Sequence, residues 1–479
     1  MLLSPSPSRT FAALAVIALS ITMLQSLLVP VLPVLQQDLR TDAAGATWTV
    51  TAFLITAAVT TPLLGRVGDL AGKRRVLLLA SLAVAVGLLG AALAPNLAVL
   101  LAARVLQGFG GAIFPLAFGI LREVLPARSL ASGIGGMSAV MAVGSGIGTV
   151  LAGPLVGVLG WRGLFAVPLV GILAGAGLVL RVVPADGARA DGRVNLLAAA
   201  LLSGWLVALL IPLSTGAQEG WTSPRTIGLF VAAAVLLVTW VRVELTAATP
   251  LVDLRMLRDP AVWSTDVAAV FFGAAMFGVF AYFPRFAQTP ADTGWGLGAS
   301  VADSGLLMLP MLVTMAASGF VVGPLGRVVT PRMQLVAAAL LLAASTASIG
   351  LEHRAAWELA VAAAVFGIGL GVGFAAMTTV VVQSVPATQT GVASGVNANL
   401  RTIGSAIGTV LLTAIVAGSA GPGGRATEGG YTAGFLVLAG LATVAALIVL
   451  AARVRRPGAT GAEPTPVAES PLEQLAETV

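Results

Sequence analysis

In a chain this apolar, the ionisable and amide side chains inside long hydrophobic stretches are the ones whose chemistry matters. Acids there are scarce, and Asp266 is the best placed. Asp259-Pro260 reads as a helix N-cap with proline at the first helical position. Asp266 then falls in the second turn, about 9 Å in, beyond the first turn where the helix dipole mostly acts. A carboxyl there can carry a proton or bind a cation, or it can be an interfacial acid that water still reaches. Asp303 and Glu358 stand near helix starts and read as boundary residues. Arg104 lies roughly 10 Å deep in its own stretch, where an arginine at mid-span costs about 2.5–3.5 kcal/mol. It either serves a buried purpose or snorkels to headgroups. Arg401 lies about eleven residues into a later stretch, near Asn397 and Asn399. It could face a central cavity and meet an anionic or polar compound, or pair with carbonyls or with Asp69.

Enzymatic chemistry finds little support. There is no catalytic constellation and no Gly-x-x-x-x-Gly-Lys-Ser/Thr loop for ATP. The chain has no cysteine and one histidine, His353, so thiol catalysis, disulfides and a metal cluster are not expected. No cofactor and no metal are called for. The net charge of +6 does not make a nucleic-acid surface, because the 26 basic residues are spread over 479 positions.

The elements that must position these residues are membrane helices. Hydrophobic residues make up 58% of the chain and charged ones 10%, against about 25% charged in soluble domains. The mean hydropathy is +0.99. Fourteen stretches reach the roughly 20 residues that cross a bilayer: about 11–33, 47–66, 76–94, 98–121, 131–158, 163–182, 195–213, 226–243, 261–284, 299–322, 333–350, 357–383, 391–417 and 431–452. The start MLLSPSPSRT is too short and weakly charged for a cleaved signal, so the first stretch is expected to stay as a span. Fourteen spans put both termini on one side. With that side cytoplasmic, 18 basic residues fall inside and 6 outside, the positive-inside pattern. Seven of the eight tryptophans, all but Trp205, lie near span ends, as in an interfacial aromatic belt. One lysine against 25 arginines, with abundant Ala, Gly and Val, reads as GC-rich bacterial codon usage, so the expected location is a bacterial cytoplasmic (inner) membrane.

Polar linkers divide the chain. PADGARADGR (184–193) follows six spans and TPLVDLRMLRDP (249–260) follows two more. The expected units are a six-helix bundle at 1–183, a linker with two extra helices at 184–260, a second six-helix bundle at 261–456 and a disordered cytoplasmic tail at 457–479 rich in Pro, Ala and Glu. ASGIGGMSAVMAVGSGIGTVL (131–151) and ASGVNANLRTIGSAIGTVL (393–411) share their opening and close. GPLGRVVTPR (323–332) matches the frame of 65–74 at nearly the same offset, keeping Gly323 and Arg332 but not the acid. Two halves in parallel repeat explain both matches, and sites in such proteins lie at midplane between the halves.

Several motifs resemble those of the major facilitator superfamily, and of its fourteen-helix drug:proton antiporters in particular. The loop GRVGDLAGKRRVL (65–77) resembles Gly-x-Leu-Ala-Asp-Arg-x-Gly-Arg-Lys through Gly65, Asp69, Gly72, Lys73 and Arg74, with Leu70 where arginine is usual. The resemblance implies that Asp69 latches the halves together on the cytoplasmic side. LAARVLQGFGGAIFP (101–115) is similar to Arg-x-x-Gln-Gly through Arg104, Gln107 and Gly108, which implies electrostatic tuning of a proton-carrying group or substrate. GSGIGTVLAGPLVG (144–157) resembles the exporter motif Gly-Pro-x-x-Gly-Gly, with Gly148, Gly153, Pro154 and Gly157 on a smooth, kinkable helix and Val158 in place of the last glycine. SGLLMLP (304–310) and SGVNANLRTIGSAIG (394–408) are also similar to stretches of that family. The acid common in the family's first helix falls here on Leu24, leaving Gln25 as the nearest polar side chain.

The resemblance implies an all-α polytopic fold of two six-helix bundles plus two inserted helices. It implies a monomeric secondary transporter, not an enzyme, that exports small apolar or amphipathic compounds such as drugs and antibiotics. Proton antiport would drive it, with alternating access between the halves. Its partners would be the lipid bilayer, a small-molecule substrate and protons. The thin supply of buried acids favours neutral substrates over dications. Two alternatives are a carrier of another solute on the same fold (a self-made metabolite, peptide or lipid precursor) and a non-transporting membrane sensor.

Overall fold

A computed structural model describes residues 6–28, 31–184, 192–419 and 426–452. The tail at 457–479, most of the linker at 184–193 and the basic residues Arg189, Arg425, Arg453, Arg455 and Arg456 lie outside the described residues. Among the described residues all regular structure is helical. The helices are α1 (Pro7–Leu28), α2 (Leu32–Asp38), α3 (Ala43–Ala71), α4 (Lys73–Ala92), α5 (Leu97–Gly108), α6 (Ile113–Val124), α7 (Ala127–Gly163), α8 (Ala166–Val182), α9 (Leu196–Glu219), α10 (Pro224–Thr246), α11 (Pro260–Ala287), α12 (Val301–Leu325), α13 (Pro331–Leu351), α14 (Ala356–Ser384), α15 (Thr390–Gly418) and α16 (Glu428–Ala451). Helices satisfy their own backbone groups, as hydrocarbon requires. Thirteen candidate spans among the described residues are long and apolar enough to cross a membrane. The pair Leu155–Gly163 and Ala166–Val182, bent by 71°, supplies a fourteenth if it is one span.

Helix starts follow local chemistry. Asp259 caps α11 by accepting the Ala261 N–H, with Pro260 at the first position. Ser300 and Asp303 form a reciprocal capping box on α12, and Glu358 accepts the Ala355 N–H ahead of α14. The stretch at 98–121 is α5 and α6 joined by a 3-10 turn over Phe109–Ala112, so a Gly-rich segment loosens the span without breaking it. Within α7 the backbone leaves helical geometry at Gly160, where φ is 66°. Only glycine adopts that backbone at little cost. Trp161 and Trp240 are packed inside the protein. The Trp161 indole donates to Asp38 at 2.9 Å.

One hydrophobic core is built from α1 through α8 and a second mainly from α11 through α16. A smaller core joins α9 and α10 through Trp205 and Trp240 and includes Val59 and Leu63 of α3 and Val392 and Val396 of α15. The inserted pair therefore lies against the seam where α3 meets α15. The repeat has a structural counterpart. The Arg74 guanidinium donates to the Leu180 carbonyl near the end of α8. Arg332 donates to the Val449, Leu450 and Ala452 carbonyls at the end of α16. Each arginine binds the C-terminus of the last helix in its own bundle, where a cation is favoured.

Candidate functional site

The loop at 65–77 is a sharp turn between α3 and α4. Gly72 holds φ 107° at the corner, which a side chain would oppose. The turn sets Asp69 and Lys73 one helical turn apart, both buried. The Lys73 ammonium lies 3.3 Å from Asp69 and 2.7 Å from Glu123 at the end of α6. Across the seam, the Asp69 carboxylate accepts the Gly391 N–H at 3.4 Å and the Val392 N–H at 3.2 Å. These are unsatisfied donors of the first turn of α15, where the helix dipole favours an anion. Arg122 adds a second link by donating to the Thr390 hydroxyl at 2.6 Å. The backbones meet because both sides are glycine: a Cβ on Gly65 would lie 2.6 Å from the Gly391 carbonyl oxygen.

This end of the molecule is sealed along two helix pairs. Between α3 and α15, Pro62 meets Gly395, and the Asn399 amide donates to the Ala58 carbonyl at 2.7 Å. Between α7 and α12, Gly135 meets the Gly319 backbone and Gly323 meets Ser132. Towards the other end of α7, a Cβ at Gly153 or Gly157 would find no neighbour within 4 Å.

Behind the seal lies a cavity between the halves. Phe114, Pro115 and Phe118 of α6 and Ser138 and Met141 of α7 form one wall. Phe374, Thr378 and Val381 of α14 and Ser394, Asn397, Ala398 and Arg401 of α15 form the other. Its volume is about 30 Å³, room for about two waters. The Arg401 guanidinium sits 4.7 Å over the Phe374 ring. Asp266, 4% exposed, stands behind this wall and accepts the Asn397 amide at 2.8 Å. The structure thus brings Asp266, Asn397 and Arg401 to one place on α11 and α15.

It does not bring Arg104, Gln107, Gly108 or Gln25 to the walls of that cavity. Arg104 is buried, so it does not snorkel. It donates to the Thr49 carbonyl at 2.7 Å and to the Gln107 side chain at 2.5 Å, and lies 4.6 Å over Phe53. Gln107 passes the chain on to the Gly87 carbonyl at 2.9 Å. This network ties α3, α4 and α5 together. Gly108 is a close-approach position against Phe53 and Thr56. Gln25 is exposed on α1. Gly148 lets α7 close on Met23 and Ser26 of α1, whereas Gly153 and Gly157 make no such approach.

Reading the sequence missed Glu123, Arg122 and Thr390 as partners of the turn at 65–77. Their one signal was the charged pair Arg122-Glu123 at a span end, which resembles any cytoplasmic boundary. Glu244 was missed too. It is buried in α10 and accepts the Leu251 and Val252 N–H groups at 2.8 and 3.1 Å, fixing the turn into the next linker.

Two helical bundles with a cavity between them, and thirteen candidate spans among the described residues, define a polytopic membrane protein. The Major Facilitator Superfamily model matches residues 14–409 and 296–477. The chain is 29% identical to the tetracenomycin C resistance and export protein of Streptomyces glaucescens, over 87% of this chain and 77% of that one. It is 30% identical to the multidrug resistance protein Stp of Mycobacterium tuberculosis, over 84% and 74%. The crystal structure of the human organic anion transporter MFSD10 (TETRAN) superposes with a TM-score of 0.67 at 17% identity, covering 93% of this chain and all of that one. That likeness speaks to fold alone. The chain belongs to the Major Facilitator Superfamily, with drug-resistance and antibiotic-export proteins among its relatives.

Proposed function

We propose that the chain exports small apolar or amphipathic organic compounds by proton antiport with alternating access. The observation that carries this reading is the cavity between the halves, apolar on most of its surface and sealed at one end by the Asp69 turn. The moving bodies would be residues 1–183 and 261–456, with α9 and α10 riding on the α3–α15 seam. Both termini would be cytoplasmic in a bacterial inner membrane, so the sealed end faces the cytoplasm. Relatives named for multidrug resistance and for tetracenomycin C export support organic compounds as cargo.

Asp69 acts as the latch because its partners are backbone donors of the opposite half, and these are lost when the halves part. Asp266 is the proposed proton carrier. It is buried within a span, and its amide partner Asn397 is part of the cavity wall. A proton arriving at Asp266 removes the charge that Asn397 holds, so the carboxyl's state is felt at the site. A membrane potential supplies about 2.3 kcal/mol per charge per 100 mV to such a step.

The test is dye uptake into inverted membrane vesicles containing the full chain. Uptake is expected to follow an imposed pH gradient and to collapse with an uncoupler. Uptake that ignores the gradient and requires ATP would contradict the reading.

A further inference from the structure

We propose that the cavity selects aromatic organic anions, with Arg401 holding the negative charge and Phe114, Phe118 and Phe374 offering ring faces. This rests on the export reading of the same cavity.

The walls carry one formal charge, that of Arg401, and no carboxylate. The nearby acid, Asp266, stands outside the lining and is engaged by Asn397. Among the described residues no carboxylate comes within 4.0 Å of the Arg401 guanidinium, which stacks on the Phe374 ring. Arg104 provides an internal comparison. It is the same residue type inside a span, yet its donors are taken by the Thr49 carbonyl and Gln107. An arginine inside a span is expensive unless it is paired or serves a function. Arg104 is paired by the protein, whereas Arg401 lines a cavity that holds about two waters in this sealed state and would widen to admit a ring system when the halves part.

The position of Arg401 is fixed. Its backbone carbonyl meets Gly273 of α11, and Gly404 one turn on meets the Val270 carbonyl. A side chain at either glycine would push α15 away, so the charge is set from a rigid pair of helices. A guanidinium presents a planar fork of donors that suits a carboxylate, sulfonate or phenolate. Phe114 and Phe118, with ring centroids 6.1 Å apart, face it from the other half. The Ser138 and Thr378 hydroxyls donate to the Ile134 and Phe374 carbonyls of their own helices, which leaves their oxygens as acceptors only. A lipophilic cation in this space meets like charge in a poorly hydrated setting. An inside-negative membrane potential would assist an anion's exit.

The experiment is counterflow in proteoliposomes of the purified full chain, without ion gradients, so that the result does not depend on proton coupling. The probes share three fused rings: anthracene-9-carboxylate, its neutral amide and 9-aminomethylanthracene, a cation. Wild type is expected to exchange the carboxylate at least tenfold faster than the amine. Arg401→Gln is expected to slow the carboxylate about tenfold and leave the amide within about twofold, while Arg401→Lys keeps the order of preference. Equal rates for anion and cation in wild type would overturn the proposal, and so would an Arg401→Gln variant that slows all three alike. If Arg401→Gln fails to fold, the charge preference of wild type and of Arg401→Lys decides. Exchange of none of the three by wild type would overturn it as well. Export without proton movement would sink the coupling claim alone and leave this one standing.

Discussion

The two arginines inside spans show how one residue type takes different roles from its partners. Arg104 completes a network over α3, α4 and α5, so Arg104→Met leaves the Thr49 carbonyl and Gln107 without a donor. Unmade buried hydrogen bonds cost about 1–3 kcal/mol each. The expected outcome is a lower unfolding midpoint in detergent with substrate preference unchanged. Asp266→Asn is a different kind of change, nearly the same in shape but unable to exchange a proton. It is expected to keep counterflow near the wild-type rate while gradient-driven accumulation is lost. Loss of counterflow as well would make Asp266 a structural residue. Where chemistry is local, the sequence was legible: the Asp259-Pro260 cap and the place of Asp303 at a helix start depend on neighbours a few positions away. Lys73 bonding Glu123 spans 50 positions, and Asp69 reaches across 322 to the Gly391 N–H. Such partners depend on how helices assemble, which no local pattern encodes. Gln25 drew notice as the polar residue nearest a missing acid, but it lies on an exposed part of α1.

Helix contacts in this molecule are set by which glycines meet a neighbour. Gly404 and Gly408 meet the Val270 and Ala274 carbonyls of α11, while Gly157 meets nothing within 4 Å. Gly404→Leu forces α11 and α15 apart, and overpacking of this kind costs about 1–3 kcal/mol. Gly157→Ala in an open helix interior is expected to be neutral or to stabilise by about 0.5–1 kcal/mol. Thermal unfolding of the two variants side by side checks the ordering. Gly160→Ala should cost about 1–2 kcal/mol through its positive φ, although no neighbour lies within 4 Å of the added methyl. The periodicity of apolar residues located nearly every span. The α7 break at Gly160 was not legible, because glycines are frequent along that stretch and its neighbours do not mark this one out. The fold nevertheless breaks where only glycine permits the dihedral.

The fold class was readable from the whole sequence because fourteen apolar stretches, a repeat and the loop at 65–77 point the same way. The conformational state was not, since it depends on contacts between halves. With the Asp69 end sealed, the chain represents one side of the proposed cycle. Asp69→Asn removes the charge held by the α15 N-terminus and by Lys73. The Lys73 pair lies within one half, and Lys73 keeps Glu123, so the balance shifts through the lost charge-assisted bonds to the Gly391 and Val392 N–H groups, worth about 1.5–3 kcal/mol, or about one to two orders of magnitude. Because the chain has no cysteine, spin labels at Arg128→Cys and Arg327→Cys can report the separation at this end. The expected result is a longer distance in Asp69→Asn than in its absence, and an unchanged distance distribution would contradict the latch. The claim on which the account stands is exchange of substrate for protons, and it is tested most directly in proteoliposomes loaded with a pH dye. Adding substrate on the cytoplasmic side should move protons across the membrane in wild type and not in Asp266→Asn. Substrate movement with no proton movement in wild type would contradict the account.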